Sequence, residues 1–168
     1  MDYVLGETIG DIQISTIEEH KTISLSPAQQ ARKSIDIFTQ DLESEIYSNS
    51  EFEQSIFTLS KRNPNTRIRI LVQDSTSAIQ KGHRLIKLSQ QLTSSVFIHK
   101  PSLKYRDERC AFMNVDNTGL IHRTIATARI DKTTASFYSP GPAAKLSEFF
   151  HHIWEHSNPD MQTRRIFL

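Results

Sequence analysis

The sequence predicts an α/β fold, a mixed and mostly parallel sheet with helices on both faces. Three observations predict it. The stretch 66–100 reads TRIRILVQD, then a helix through GHRLIKLSQQL, then SSVFIHK. In its first strand Ile68, Ile70 and Val72 alternate against Arg67, Arg69 and Leu71, so each set takes one face. In the helix Ile79, Leu85, Ile86 and Leu92 share a face at the 3.6-residue period. A strand, helix and strand of this length imply a right-handed crossover between parallel strands. The second observation is the alternation of SIDIFT (34–39), a further strand. The third is the stripe of Leu146, Phe149, Phe150, Ile153 and Trp154, one face of a closing helix.

The remaining elements follow in order. Residues 1–16 read as a lead-in with one short strand, Ile12–Ile14. A polar helix is predicted over Ile17–Arg32, broken or kinked near Leu25 because Pro27 has no N–H to give. After SIDIFT comes a helical turn, Leu42–Tyr47. A helix over Glu51–Lys61 then offers Phe52, Ile56, Phe57 and Leu59 to the core. Asn63-Pro64-Asn65 is a turn signal ahead of the strand at Thr66. Gly82 falls inside the predicted helix, where glycine costs about 1 kcal/mol against alanine, so close packing or a close ligand is expected there. Ser94-Ser95 ends that helix. Pro101 opens a charged loop, LKYRDER, and Cys110–Asp116 reads as a buried strand. Asn117-Thr118-Gly119 makes a tight hairpin turn and Leu120–Ala126 its partner strand. A weaker strand lies near Ala135–Tyr138. Pro142 suits the first position of the last helix, and the tail Met161–Leu168 has no clear pattern.

Composition narrows the function classes. A chain of 168 residues is expected to be one domain with a sizeable core. No apolar run reaches membrane-span length, and MDYVLGETIG lacks the features of a signal peptide. Cys110 is the single cysteine, which excludes an internal disulfide and a multi-cysteine zinc site, and a cytoplasmic location is the default expectation. The net charge of +1 hides an asymmetry: residues 1–60 carry −8 and residues 61–109 carry +8. Either the two segments lie side by side, in one fold or across a dimer, or the basic one faces a polyanion such as nucleic acid or anionic lipid. The balanced total favours the first.

The order of elements resembles one half of the phospholipase D-like fold, which closes with a β-hairpin and a helix bearing F-x-x-x-W. Here those pieces are AFMNVDNTG and FFHHIWEHS, with Phe150 and Trp154 at the required spacing. More narrowly, Asp41-Leu42-x(4)-Tyr47, RILVQD, GHRL, Phe112-x-x-x-Asp116-x-x-Gly119 and the F-x-x-x-W end resemble an uncharacterised bacterial family of phospholipase D-like proteins. Its members are often labelled as related to acetyltransferases. The resemblance implies a lead-in over 1–21 and a single phospholipase D-like half-domain over 22–168. Such halves pair, so it also implies a homodimer whose interface buries the site. Active members use H-x-K-x(4)-D, the His attacking phosphorus and the Lys holding phosphate oxygens. With Asp116 on the motif's Asp, Arg109 stands where the His belongs and Ala111 where the Lys belongs. Arginine keeps its proton at neutral pH and alanine has no charge, so the motif is degenerate and no catalytic residue is assigned. Asp116 is then expected to stabilise the hairpin turn before Gly119.

Other constellations are weaker. Lys81, His83, Arg84 and Lys87 lie within two helical turns and form either a phosphate-binding face or a solvated one. Asp74 ends one parallel strand, and His99 and Lys100 end the next, where α/β ligands gather. With Arg109 they outline a candidate cleft, against which stands simple loop polarity. His152 and His156 with Glu148 have metal-ligand spacing but flank the apolar stripe, and no metal is expected. There is no G-x-S-x-G, P-loop or G-x-G-x-x-G. With five unpaired glycines, no coenzyme A cradle is present and no cofactor is expected. The leading expectation is a non-catalytic phospholipase D-like binding or scaffold module, recognising a phosphate-bearing or anionic partner. Its alternatives are a phosphodiesterase or nuclease recruiting His83, His99 or His122, a binder of nucleic acid or anionic lipid through Lys81–Lys87, and an accessory protein related to acetyltransferases.

Overall fold

In a computed structural model, residues 2–126 and 132–164 are described. The strands are β1 (Asp11–Ile14), β2 (Ser34–Thr39), β3 (Arg67–Val72), β4 (Val96–Lys100), β5 (Ala111–Val115), β6 (Gly119–Arg123), β7 (Thr133–Ser136) and β8 (Asn158–Pro159). The helices are α1 (Ile17–Gln30), α2 (Ser44–Tyr47), α3 (Ser50–Ser60), α4 (Thr76–Gln80), α5 (Arg84–Gln91), α6 (Pro140–Glu155) and α7 (Met161–Arg164). One sheet runs β1-β7-β6-β5-β2-β3-β4-β8. The α/β class holds, but the sheet is mixed rather than mostly parallel. Among the described residues only β2–β3 and β3–β4 pair in parallel; β5, β6, β7 and β1 follow antiparallel on one side of β2, and β8 returns antiparallel at the other edge.

Helices cover both faces, as the alternation requires. Ile35, Ile37, Ile68, Ile70, Val72 and Met113 face α1, α3 and α5, whereas Phe38, Leu71 and Phe112 face Phe150 and Ile153 of α6. The central strands are therefore apolar on both sides, and even the inward Asp36 of SIDIFT is 4% exposed.

Several local expectations are corrected. Helix α1 continues through Pro27 from Thr16, whose hydroxyl caps Glu19 N–H, to Gln30. The helix predicted after Asp74 is two helices, since Gly82 adopts φ +64° between them. Gly82 is there to turn the chain, a conformation glycine takes without steric cost, and no ligand is needed to explain it. Phe57 is 40% exposed, so it leaves the apolar set of α3. Pro140, not Pro142, opens α6. Of the unpatterned tail, Met161–Arg164 form α7 and 165–168 lie outside the described residues.

The charge asymmetry resolves within the chain. Arg69 forms a two-pronged pair with Asp36 (3.0 and 3.1 Å), and Arg84 meets Glu53 at 3.4 Å. The basic middle segment thus lies against the acidic first third in the same fold.

Candidate functional site

The carboxyl ends of the parallel strands lie against the loop that carries Arg109 and the start of β5 at Ala111. There the chain leaves β2 through two left-handed residues, Leu42 (φ 72°) and Glu43 (φ 35°). Such backbone costs a non-glycine residue roughly 1–2 kcal/mol, and the neighbours hold it. Thr39 Oγ1 accepts from Leu42 N–H at 3.0 Å, and His83 lies 3.0 Å from the Leu42 carbonyl through Nε2. His83 Nδ1 accepts from Leu85 N–H at 3.1 Å, so the proton sits on Nε2, which donates to Leu42. His83 is thus a fully buried helix cap, and burial pushes its pKa down to about 4.

The strained turn aims Glu43 at Arg123 of β6, with 2.7 Å between Oε1 and Nη2. Beside this ion pair stand His20 of α1, Tyr47 of α2, Ala111 of β5 and Thr133 of β7, around a cavity of about 10 Å³. That is space for about one water. Burial raises Glu43 and Arg123 pulls it back; burial, with Arg123 adding to it, lowers His20 to about 4. Tyr47, wholly buried near Glu43, is held well above its ordinary value. Three buried polar atoms here, His20 Nδ1, Arg123 Nε and Thr133 Oγ1, have no hydrogen-bond partner among the described residues. Sequence reasoning singles out only Tyr47 of these, through the D-L-x(4)-Y pattern, and misses the side chains of His20, Glu43 and Arg123.

The eight residues named from the sequence do not converge. Arg109 is exposed on a loop clamped over the strand ends, where Gln40 donates to the carbonyls of Glu108 and Cys110 and Gln73 to that of Tyr105. Burial raises the neighbouring Cys110 thiol to about 11, which leaves it protonated at neutral pH. Asp74 is exposed and accepts from Thr76 N–H, a bond that lowers its pKa. Lys100, Arg84 and Lys87 are exposed. Asp116, at the opposite end of the sheet, accepts from the backbone N–H groups of Arg32, Lys33 and Ser34 at 2.8, 2.8 and 3.0 Å. It therefore ties the α1–β2 connection to the hairpin, rather than capping the turn itself. His156 Nδ1 bonds the His152 carbonyl, and no cluster of three metal-ligand side chains occurs among the described residues.

His99 belongs to a second feature, an open cleft of about 730 Å³ between the sheet and α6. Its floor is set by register: Ser34 lies beside Arg67, Asp36 beside Arg69 beside Phe97, and Leu71 beside His99. His151 and Trp154 of α6 form the roof; Lys33, Asn65 and Asn117 line the mouth. His99 stacks on Trp154 with centroids 3.8 Å apart and shares a 2.8 Å hydrogen bond with Ser157. Burial, then Arg164 and Arg69, lowers its pKa.

Comparison with known proteins gives a family and a fold. The family model described as Domain of unknown function (DUF7931) matches residues 16–166. No curated protein matches the sequence significantly. Among solved structures, Nuc of Salmonella typhimurium, a phospholipase D family member, superposes with TM-score 0.64 at 12% identity, over 91% of this chain and 97% of its own. NucT of Helicobacter pylori gives 0.64 at 9%, over 91% and 100%. TrmBL2, an archaeal chromatin protein with a novel mode of DNA binding, gives 0.64 at 13% over 92% of this chain, which spans only 54% of TrmBL2. At such identities the likeness establishes a phospholipase D-like fold.

Proposed function

The chain belongs to the family described as Domain of unknown function (DUF7931), and from that membership and the fold we propose that it is a non-catalytic phospholipase D-like module acting by binding a phosphate-bearing or anionic partner. One observation carries the reading. Where the fold's enzymes hold a nucleophile and a phosphate-binding lysine, this chain has Arg109 pointing to solvent and Ala111. Behind them the Glu43–Arg123 pair leaves a cavity of about 10 Å³, too small for a phosphoryl group. Phosphodiester cleavage needs a nucleophile within bonding reach of phosphorus, and a filled pocket removes that geometry. The DNA binding of TrmBL2, which shares the fold, supports a nucleic acid as the partner.

A second reading, turnover by a rearranged site, draws on His20. Its imidazole is neutral above pH about 4 and its Nδ1 is unpartnered among the described residues, beside a fixed guanidinium. One assay separates the two. Metal-independent hydrolysis of bis-p-nitrophenyl phosphate is expected to stay at the buffer blank. Turnover that disappears in His20→Ala sinks the binding-module reading.

A further inference from the structure

We propose that the cleft under α6 binds a nucleotide unit, its phosphate against Lys33 and Arg67 and its base against Phe97. The inference rests on the reading of the chain as a binding module, but places the ligand at the end of the sheet away from the filled pocket. The cleft holds about 730 Å³, ample for a nucleotide, whereas the pocket at the degenerate motif holds about 10 Å³.

Charge and shape in the cleft are unequally spent. Arg69 is neutralised by Asp36 and held between rings, its Cζ 5.1 Å from the centroid of Phe150 and 5.4 Å from that of Trp154. Trp154 is itself engaged by His99 and Phe150, so these groups build the wall. Lys33 and Arg67, in contrast, are exposed and have no carboxylate partner among the described residues. Arg67 gives Nη1 to the carbonyls of Pro64 and Thr66, which fixes the guanidinium. Phe97 is half-buried and has no ring partner among the described residues.

The register sets the separation. Phe97 pairs with Arg69, one strand over and two residues along from Arg67, so their side chains stand about 5 Å apart across the sheet and about 7 Å along it. A cation and an open ring at that spacing, with the amides of Asn65 and Asn117 at the mouth, match a phosphate and a flat, hydrogen-bonding base. Backbone charge with a stacking platform is how unpaired nucleotides are held without sequence readout. The same chemistry comes from a free nucleotide or from one residue of a single strand.

The test titrates the whole chain at low salt with fluorescein-labelled oligothymidylate, read by anisotropy, and with dTMP, read by the fluorescence of the single tryptophan, Trp154. Binding is expected to weaken with salt. Phe97→Ala should weaken it about tenfold or more, and Arg67→Glu should weaken it and flatten the salt slope by about one. Arg67 is exposed, so its substitution reports on binding even if Phe97→Ala fails to fold. Arg84→Glu with Lys87→Glu, on the opposite face of the sheet, should leave binding unchanged. Saturation by dTMP identifies a free nucleotide as sufficient; binding of the oligomer alone identifies a strand; either supports the cleft. Absence of binding by both probes overturns it, as does equal loss in the Arg84/Lys87 pair. Turnover of a phosphodiester with cleft binding intact would instead overturn the non-catalytic reading alone.

Discussion

At the scale of single residues, the chain concentrates its cost in Glu43 and Arg123. Two charges are removed from water and one of them sits on left-handed backbone. Taking away one partner of a buried pair leaves the other uncompensated, a loss of about 3–5 kcal/mol. Glu43→Gln is therefore expected to lower the stability measured by urea unfolding by about 3 kcal/mol, and Glu43→Gln with Arg123→Met to recover most of it. A loss in the double variant equal to the sum of the two single losses would mean that the pair is not coupled. None of this was visible in sequence, because a glutamate in a helical turn and an arginine at a strand end look solvated until the fold brings them together. Asp116 shows the opposite case. Its place in F-x-x-x-D-x-x-G marked it as structural, yet the three N–H groups it accepts come from residues 32–34, far off in sequence.

At the scale of elements, periodicity located the strands and the stripe of α6, because burial on one or both faces leaves a direct mark on composition. It failed at joints. Local rules make Pro27 a break, whereas α1 runs on through it, packed against α3. The apolar period passes through Gly82 and makes it helical, whereas His83 caps a new helix and braces Leu42. That bracing makes a pH prediction. Burial holds His20 and His83 near 4, below the ordinary 6.5. Between those values the unfolded chain binds more protons, so stability is full above pH 6.5 and is lost as pH falls through the window. At about 1.4 kcal/mol per pH unit, the urea midpoint should fall clearly from pH 7.5 to pH 5. Asp36 and Glu43, which burial raises, oppose the trend only toward the acid end. His83→Asn keeps a capping acceptor and removes one of the histidines whose pKa burial lowers, so its pH slope should be shallower than that of the parent, with His20, His99 and His122 supplying the rest. An unchanged slope would place the titration elsewhere.

At the scale of the whole molecule, the sheet has two unlike ends. The amino end opens into the cleft under α6. The carboxyl end is closed by the loop before β5, and beside Arg109 it presents the apolar side chains of Leu103 (72% exposed) and Ile125 (52% exposed). Exposed apolar groups together with an exposed arginine are what a modest interface needs at its centre. The homodimer expected from the pairing habit of such half-domains would bury this end and leave the cleft of each copy in solvent. Light scattering at micromolar concentration is then expected to return twice the 19.3 kDa chain mass, at low and at moderate salt alike, since apolar contact rather than charge holds the pair. Ile125→Asp should shift the population to monomer without altering oligonucleotide binding, because the substituted residue and the cleft lie at opposite ends of the sheet. A mass of one chain under every condition would remove the dimer; a dimer that resists Ile125→Asp would move its interface to another face.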